Sequence, residues 1–448
     1  SCRFRHEDVR VEPEDSRCIQ NDGTSCGAVA LFAGCLNLPM RTTTRTTADR
    51  MDWLRRLFGR DSTPEQFGLL LSGGGARAAY QAGVLQYISD RFSDADFDVM
   101  TGVSAGAINT AYMSNTCGPL SESVKQLVKG WSEIRADNVF EPESSFSFLR
   151  SLMFKREEDE DWSGRALLDT TPLRAFLHDQ LDVEDGQLAC IARKIAEERL
   201  RAVAVVTTNY ATGQTVTWVQ GENIEQWERP DRIGINTTLT VDHIMASAAL
   251  PLLFPAIRIG DGYYGDGGIR LAAPLAPLVH LGCTRVLVIS TRYQRSRAEA
   301  DEPAVSGYPP TSRIFGVLMN AVFLDALDQD ARTMDRINAL LDELPPRKRL
   351  GMRPIRLLVI RPSVDIGRLA GEFKADLDGV MGVLSGGIGG NSKSPDWLSM
   401  MMFDPAYVNR LIELGYEDAR RQHSEIDGFL HSEDRLPPRR ETSHAPAR

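Results

Sequence analysis

No apolar run in this chain of 448 residues reaches the roughly 18 needed to cross a bilayer. The longest, AVALFAGCLNLPM and IMASAALPLLFPAI, fall short, and Pro251 and Pro255 break the second. Positive charge is also short. With 51 Lys and Arg against 61 Asp and Glu, the formal net charge is -10, which argues against nucleic acid as a partner because phosphate binding needs a basic face. Neither HExxH nor a paired Cys/His spacing occurs, so nothing marks a metal-dependent hydrolase. No internal repeat is found. The seven cysteines are an odd number with no regular spacing in the core, while the four near the start could form disulfides or a metal site. Cys2, Cys18, Cys26 and Cys35 crowd the start with spacings that match no zinc pattern, and Cys117, Cys190 and Cys283 are scattered, which predicts reduced thiols in a cytoplasmic setting.

What is there begins with Gly102-Val103-Ser104-Ala105-Gly106, which follows the apolar run FDVM and leads into the helix-compatible AINTAYM. Strand, sharp turn and helix make the setting of a nucleophilic serine. The turn strains the serine backbone, and the flanking glycines let the chain pack closely so that the hydroxyl stands above the sheet edge. Ser104 is therefore the candidate nucleophile. Upstream, Gly73, Gly74 and Gly75 separate an apolar strand, Phe67 to Leu71, from a helix-like run, Ala76 to Leu85. Consecutive glycines turn backbone amides toward one point and the helix start adds partial positive charge. The loop suits an anion, either a phosphate or the oxyanion formed when a serine attacks an ester. Downstream, Asp266-Gly267-Gly268 ends the glycine-rich turn DGYYGDGG, where a loop can present a carboxylate.

Two other readings use the same residues. As Gly73-x-Gly75-x-x-Ala78 the loop fits a dinucleotide-binding fingerprint, with Asp96 or Asp98 at the distance of a ribose-binding acid, but Ser104 and Asp266 then have no role. In a serine, acid, histidine order the base would be His280, which ends a helix-like run before a glycine and reads better as a capping group; His178 and His243 read as structural.

From Gly73 to Gly268 the three motifs, in this order, resemble the patatin-like phospholipase family: Gly73-Gly74-Gly75-Ala76-Arg77-Ala78, then Gly102 to Gly106, then Asp266-Gly267-Gly268. Met245 to Pro255, MASAALPLLFP, is similar to the stretch the family carries ahead of its aspartate. One position departs, since Ala78 stands where the family usually has glycine. The resemblance covers about Phe67 to Ser290. It implies a Ser-Asp dyad in place of a triad: Ser104 attacks the acyl carbonyl, Asp266 takes its proton and later activates water, and amides near Gly74 and Gly75 hold the oxyanion. A solvated carboxylate is a weak base, so Asp266 must sit in a partly dry pocket that raises its pKa. Arg77 would orient the loop or bind a lipid phosphate, with a surface ion pair as the plain alternative. The expected activity is cleavage of carboxylic esters in phospholipids or other acyl lipids, with no metal or organic cofactor and with peripheral contact at a membrane. An acyltransferase or thioesterase would use the same serine. Oligomeric state is left open.

Apolar or β-branched runs at Phe67 to Leu71, Phe97 to Met100, Ala202 to Thr207, Thr215 to Val219, Val286 to Ser290 and Ile355 to Ile360 alternate with helix-like segments. This predicts an α/β fold with a mostly parallel central sheet, and the resemblance implies the same three-layer α/β/α arrangement. Ser104 and the glycine loop would lie at the carboxyl ends of strands. Residues 1–62 read as a flexible leader, in which Met51 suits a natural start and LFAGC, ending at Cys35, looks like a lipobox without the basic region such signals carry. The catalytic domain is expected over 63–292, an α/β extension packing on it over 293–432, and a disordered tail over 433–448. Ser144 to Trp162 joins an apolar cluster to Lys155, Arg156 and an acidic run, and reads either as a lipid-facing lid or as a core helix with a charged turn. The basic stretch from Arg347 to Arg356 reads as a solvated loop and Gly386–Gly390 as a loop or hinge.

Overall fold

Strands buried on both faces need continuous apolar sequence, and the apolar runs of this chain become the strands of one mixed sheet. In chain order these are β1 (Phe67–Leu71), β2 (Val99–Val103), β3 (Ala202–Asn209), β4 (Thr215–Gly221), β5 (Glu228–Arg229), β6 (Arg232–Asn236), β7 (Ile257–Ile259), β8 (Gly262–Asp266), β9 (Arg285–Ile289) and β10 (Arg356–Ile360). Across the sheet the order is β10-β9-β1-β2-β3-β4-β6-β5, with β8 pairing β3 and β7 pairing β8. The run from β10 to β3 is parallel, and β4 and β8 are antiparallel to β3. The central strand β2, VMTGV, is buried at every residue. Because side chains alternate across a strand, Leu69 and Leu71 of β1 join one apolar cluster and Leu70 joins the other, so that the sheet is covered on both faces.

The computed structural model describes residues 66–142, 166–301, 325–373 and 395–431, together with positions 308, 314, 317 and 318. The chain divides into two units, residues 1–62 and 63–448, and the described residues all belong to the second. The expected leader, the stretch Ser144 to Trp162, Gly386–Gly390 and the tail 433–448 lie outside the described residues.

The helices that shape the site are α1 (Ala79–Arg91), α2 (Ala105–Asn115), α3 (Leu120–Glu133), α4 (Thr171–Gln180), α5 (Val241–Ser247), α6 (Ala276–His280), α7 (Pro395–Met401) and α8 (Pro405–Arg421). In α3 the residues Val124, Leu127 and Trp131 recur at helical spacing and are buried, which turns one face onto the core. The start of α8 is fixed locally. Pro405 takes the first helical position, and the Asp404 carboxylate accepts from the amides of Ala406 and Tyr407. Its buried face, from Tyr407 to Ala419, packs along α1. Among the described residues no helix is long and apolar enough to cross a membrane.

The expectation of reduced thiols is corrected for one pair. Cys117 and Cys190 are joined in a disulfide, with Cα atoms 5.2 Å apart across a sequence separation of 73. Cys117 follows the end of α2 and Cys190 lies in the helix Ala189–Ala196, so helix packing brings them together where no spacing rule applies. Cys283 is a buried free thiol. In the basic stretch, Arg347 and Lys348 are exposed, whereas Arg356 donates to the Gly428 carbonyl.

Candidate active site

Ser104 follows the last residue of β2 and caps α2, with φ 57° and ψ −133°. Such angles are rarely held by a residue with a side chain, and they mark the sharp turn that the pentapeptide predicts. The turn closes only because its second glycine has no side chain. A Cβ at Gly106 would sit 2.1 Å from the Leu71 carbonyl of β1. The start of α2 also points its partial positive charge at Ser104.

Sheet register brings Asp266 to the same place. β2 pairs with β3 as far as Val103 opposite Val206, and β8 takes the next rung, with Asp266 opposite Thr207. One strand ends in the serine and another ends in the aspartate, on consecutive rungs of β3. Asp266 is held there by its amide donating to Ala249 O at 2.9 Å and by Thr208 Oγ1 donating to its carbonyl at 2.9 Å. Its side chain is fully buried, and Oδ1 accepts from the Gly268 amide at 2.8 Å. Burial raises its pKa from 3.8 to about 7, opposed by the smaller influences of the Ser104 hydroxyl and the Gly268 amide. The carboxylate therefore lies beside the serine, while Oδ2 completes no hydrogen bond among the described residues.

The glycine loop abuts both. A Cβ at Gly73 would lie 2.9 Å from Ser104 Cβ, and Thr291 Oγ1 donates to the Gly73 carbonyl at 2.5 Å. Gly74 and Gly75 have φ of 149° and 58°, and a Cβ at Gly75 would meet the Met400 carbonyl at 2.2 Å. The loop then enters a short 3-10 turn, Gly75–Ala78, before α1. Arg77, in that turn, is buried and donates from Nε to Ser399 Oγ at 2.7 Å, so it ties the loop to α7. Gly102 is the penultimate residue of β2, beside the turn, and Gly267 and Gly268 lie in the turn after Asp266.

Several residues that no motif marks also build the site. Ser247, at the end of α5, accepts from the Ser104 amide at 3.0 Å and donates to Val206 O at 2.7 Å. Gln81 donates to the Ser72 and Ile289 carbonyls, and Asn109 donates to Gln81 Oε1 at 2.8 Å while accepting from Trp131 Nε1 at 2.7 Å. The signal available for these is a polar side chain inside an apolar helical run, Gln81 in AYQAGVL and Asn109 in AGAINTA.

Two cavities meet at Ser104. The larger, about 610 Å³, is lined by apolar side chains including Ile108, Trp131, Ile134, Phe176, Phe254 and Phe403. The smaller, about 410 Å³, lies between Gly73, Ser104, Gly268 and Leu271. Among the described residues no histidine lines either cavity. His280 ends α6, exposed and stacked on Trp227 at 4.9 Å, and His178 is exposed on α4. His243 accepts from the Thr240 amide at 3.1 Å, and burial lowers its pKa to about 4. The acids of the dinucleotide reading are also placed elsewhere. Asp98 precedes β2 and accepts from the Phe67 amide at 2.7 Å, which puts it at the amino ends of the strands, away from the glycine loop at their carboxyl ends. Among the described residues the one cluster of three potential metal ligands is Cys117, Asp182 and Cys190. Its sulfurs are bonded to each other, and Cys117 lies past the far end of α2 from Ser104.

Residues 69–279 match the family model described as patatin-like phospholipase. Among curated proteins, none matches the chain at a significant level. Among solved structures, the chain is similar to VipD from Legionella pneumophila, with 13% identity, 81% of this chain and 67% of that one covered, and a TM-score of 0.32. Human GIVD cytosolic phospholipase A2 matches with 13% identity, 85% and 62% coverage, and a TM-score of 0.42. Full-length ExoU in complex with SpcU, from the type III secretion system of Pseudomonas aeruginosa, matches with 14% identity, 72% and 59% coverage, and a TM-score of 0.25. The chain thus spans 62% of the length of the human protein it matches.

Proposed function

Because residues 69–279 form a patatin-like phospholipase domain, we propose that the protein is a serine hydrolase of carboxylic esters in acyl lipids, with Ser104 as nucleophile and Asp266 as its base. The observation that carries this reading is a strained serine just after β2 and a fully buried aspartate ending β8, two strands whose last pairs fall on consecutive rungs of β3, with the aspartate pKa raised to about 7. A carboxylate at that value is half ionised near neutrality and basic enough to accept a proton from a hydroxyl as it attacks.

In the first step the ionised Asp266 takes the Ser104 proton while Oγ bonds to the acyl carbon, and the carbonyl electron pair moves onto its oxygen. The donors proposed for that oxyanion are the amides of Gly74 and Gly75, at the start of the 3-10 turn where N–H groups have no intrahelical partner. Collapse breaks the ester bond, and the leaving alcohol takes the proton from Asp266. Water then attacks the acyl carbon with Asp266 taking its proton, and as the bond to Oγ breaks that proton passes to Ser104, releasing the carboxylic acid and restoring the site. The larger cavity, apolar and open to Ser104, supports an acyl chain as the group transferred. Contact with a membrane surface is part of the proposal, since such chains reside there.

The test is release of fatty acid from phospholipid vesicles and covalent labelling by a fluorophosphonate, in wild type and Ser104→Ala. Wild type should do both and the variant neither. Labelling and turnover at the wild-type rate in Ser104→Ala would remove the serine from the mechanism.

A further inference from the structure

Of the described side chains that line the larger cavity, three carry a nitrogen or oxygen: Ser104, Tyr112 and Trp131. Ser104 is the proposed nucleophile, and the Trp131 indole N–H is committed to Asn109 at 2.7 Å. The Tyr112 side chain is 3% exposed, and its hydroxyl has no hydrogen-bond partner among the described residues. The ring tip rests against Gly130, which also lines the cavity; a Cβ there would lie 2.7 Å from the hydroxyl. Burial, with the charges of Asp179 and Glu133, raises the phenol pKa and keeps the group a donor throughout the working range. An unpaired buried donor is a standing cost, and it is removed when a ligand brings an acceptor to it.

Its depth says where on a chain that acceptor belongs. Ser104, Ile108 and Tyr112 lie on one face of α2 at spacings of four, so Tyr112 stands two turns from the nucleophile, about 12 Å along the axis. That distance is far beyond the ester group and falls along the middle of a long acyl chain.

We propose that Tyr112 makes the cavity selective for acyl chains that carry an oxygen at mid-chain, as a hydroxyl, hydroperoxyl or keto group. The substrate class of the site is then oxygenated acyl lipid. This rests on the reading of the cavity as the acyl pocket of a Ser104 hydrolase, and the two are tested apart by measuring binding and turnover separately.

Binding is read by tryptophan fluorescence of Ser104→Ala titrated with a mid-chain hydroxy-octadecanoate and with plain octadecanoate. The oxygenated acid should bind about tenfold tighter, the scale of one net hydrogen bond. Adding Tyr112→Phe, which deletes the hydroxyl alone, should bring the ratio to about one. Gly130→Ala, whose methyl would crowd the hydroxyl, should erode the same ratio and serves if the Tyr112 variant does not fold. Equal binding of the two acids to Ser104→Ala overturns the proposal, and so does a preference that survives Tyr112→Phe. In parallel, wild type is assayed on the matching esters. A binding preference without ester cleavage would sink the hydrolase reading and leave the Tyr112 assignment standing; cleavage of both esters at equal kcat/KM, with equal binding, would do the reverse.

Discussion

Replacing Asp266 by Asn removes one titration from the folded core, and its surroundings fix both the sign and the size of the effect on stability. Full burial raises the pKa of this carboxyl from 3.8 to about 7. The unfolded chain releases the proton near 3.8 and the folded chain near 7, so between these values the unfolded state binds fewer protons and stability falls as pH rises. At about 1.4 kcal/mol per unit, the ionised aspartate costs the folded state about 4 kcal/mol above the window. Asn keeps an oxygen for the Gly268 amide and carries no charge. Urea unfolding of wild type and Asp266→Asn from about pH 4 to about pH 9 should therefore show the variant gaining about 4 kcal/mol on the wild type across the series. The same variant should lose turnover, and wild-type kcat/KM should rise with pH through an ionisation near 7 as the base is freed. A stability gap between the two proteins that stays level over this range would refute the reasoning, because it would mean that the carboxylate is solvated or satisfied.

Other perturbations follow from single contacts. Ser247→Ala leaves the Ser104 amide and the Val206 carbonyl without their partner and should cost about 2 kcal/mol in urea unfolding, with turnover reduced as the nucleophile turn loosens. Gly75→Ala drives a methyl into the Met400 carbonyl at a position with φ 58°, and by displacing a proposed oxyanion donor it should lower kcat/KM roughly a hundredfold. Ile108→Trp, one turn below Ser104, fills the cavity and should depress cleavage of long-chain p-nitrophenyl esters more steeply than of the acetate, read as the ratio of kcat/KM values.

The strands at Phe67–Leu71, Ala202–Asn209 and Arg285–Ile289 were legible because burial on both faces demands unbroken apolar runs, and these runs are present in the sequence. The serine turn was legible because close packing at Gly106 needs a glycine next to a strand end. The neighbourhood of Asp266 was legible only through the family resemblance. It is set by two strands sharing β3, a matter of register between segments far apart in the chain. Ser247, Thr291 and Ser399 were invisible for the same reason, since each acts through a contact across 143 to 322 residues of sequence. The Cys117–Cys190 bond came from helix packing that cysteine spacing does not encode, and the Asp96 and Asp98 spacing of the set-aside dinucleotide reading counts residues without saying at which end of a strand they fall.

Met400, Met401 and Phe403 line the larger cavity, yet they come from a stretch more than a hundred residues beyond the end of the family-matched span at 279. The proposed nucleophile and base and part of the wall that would grip the chain are thus encoded separately. Exchanging residues 395–403 between related proteins is a route to new chain preferences that leaves the nucleophile untouched, and trimming the protein to the matched span would open the pocket on that side.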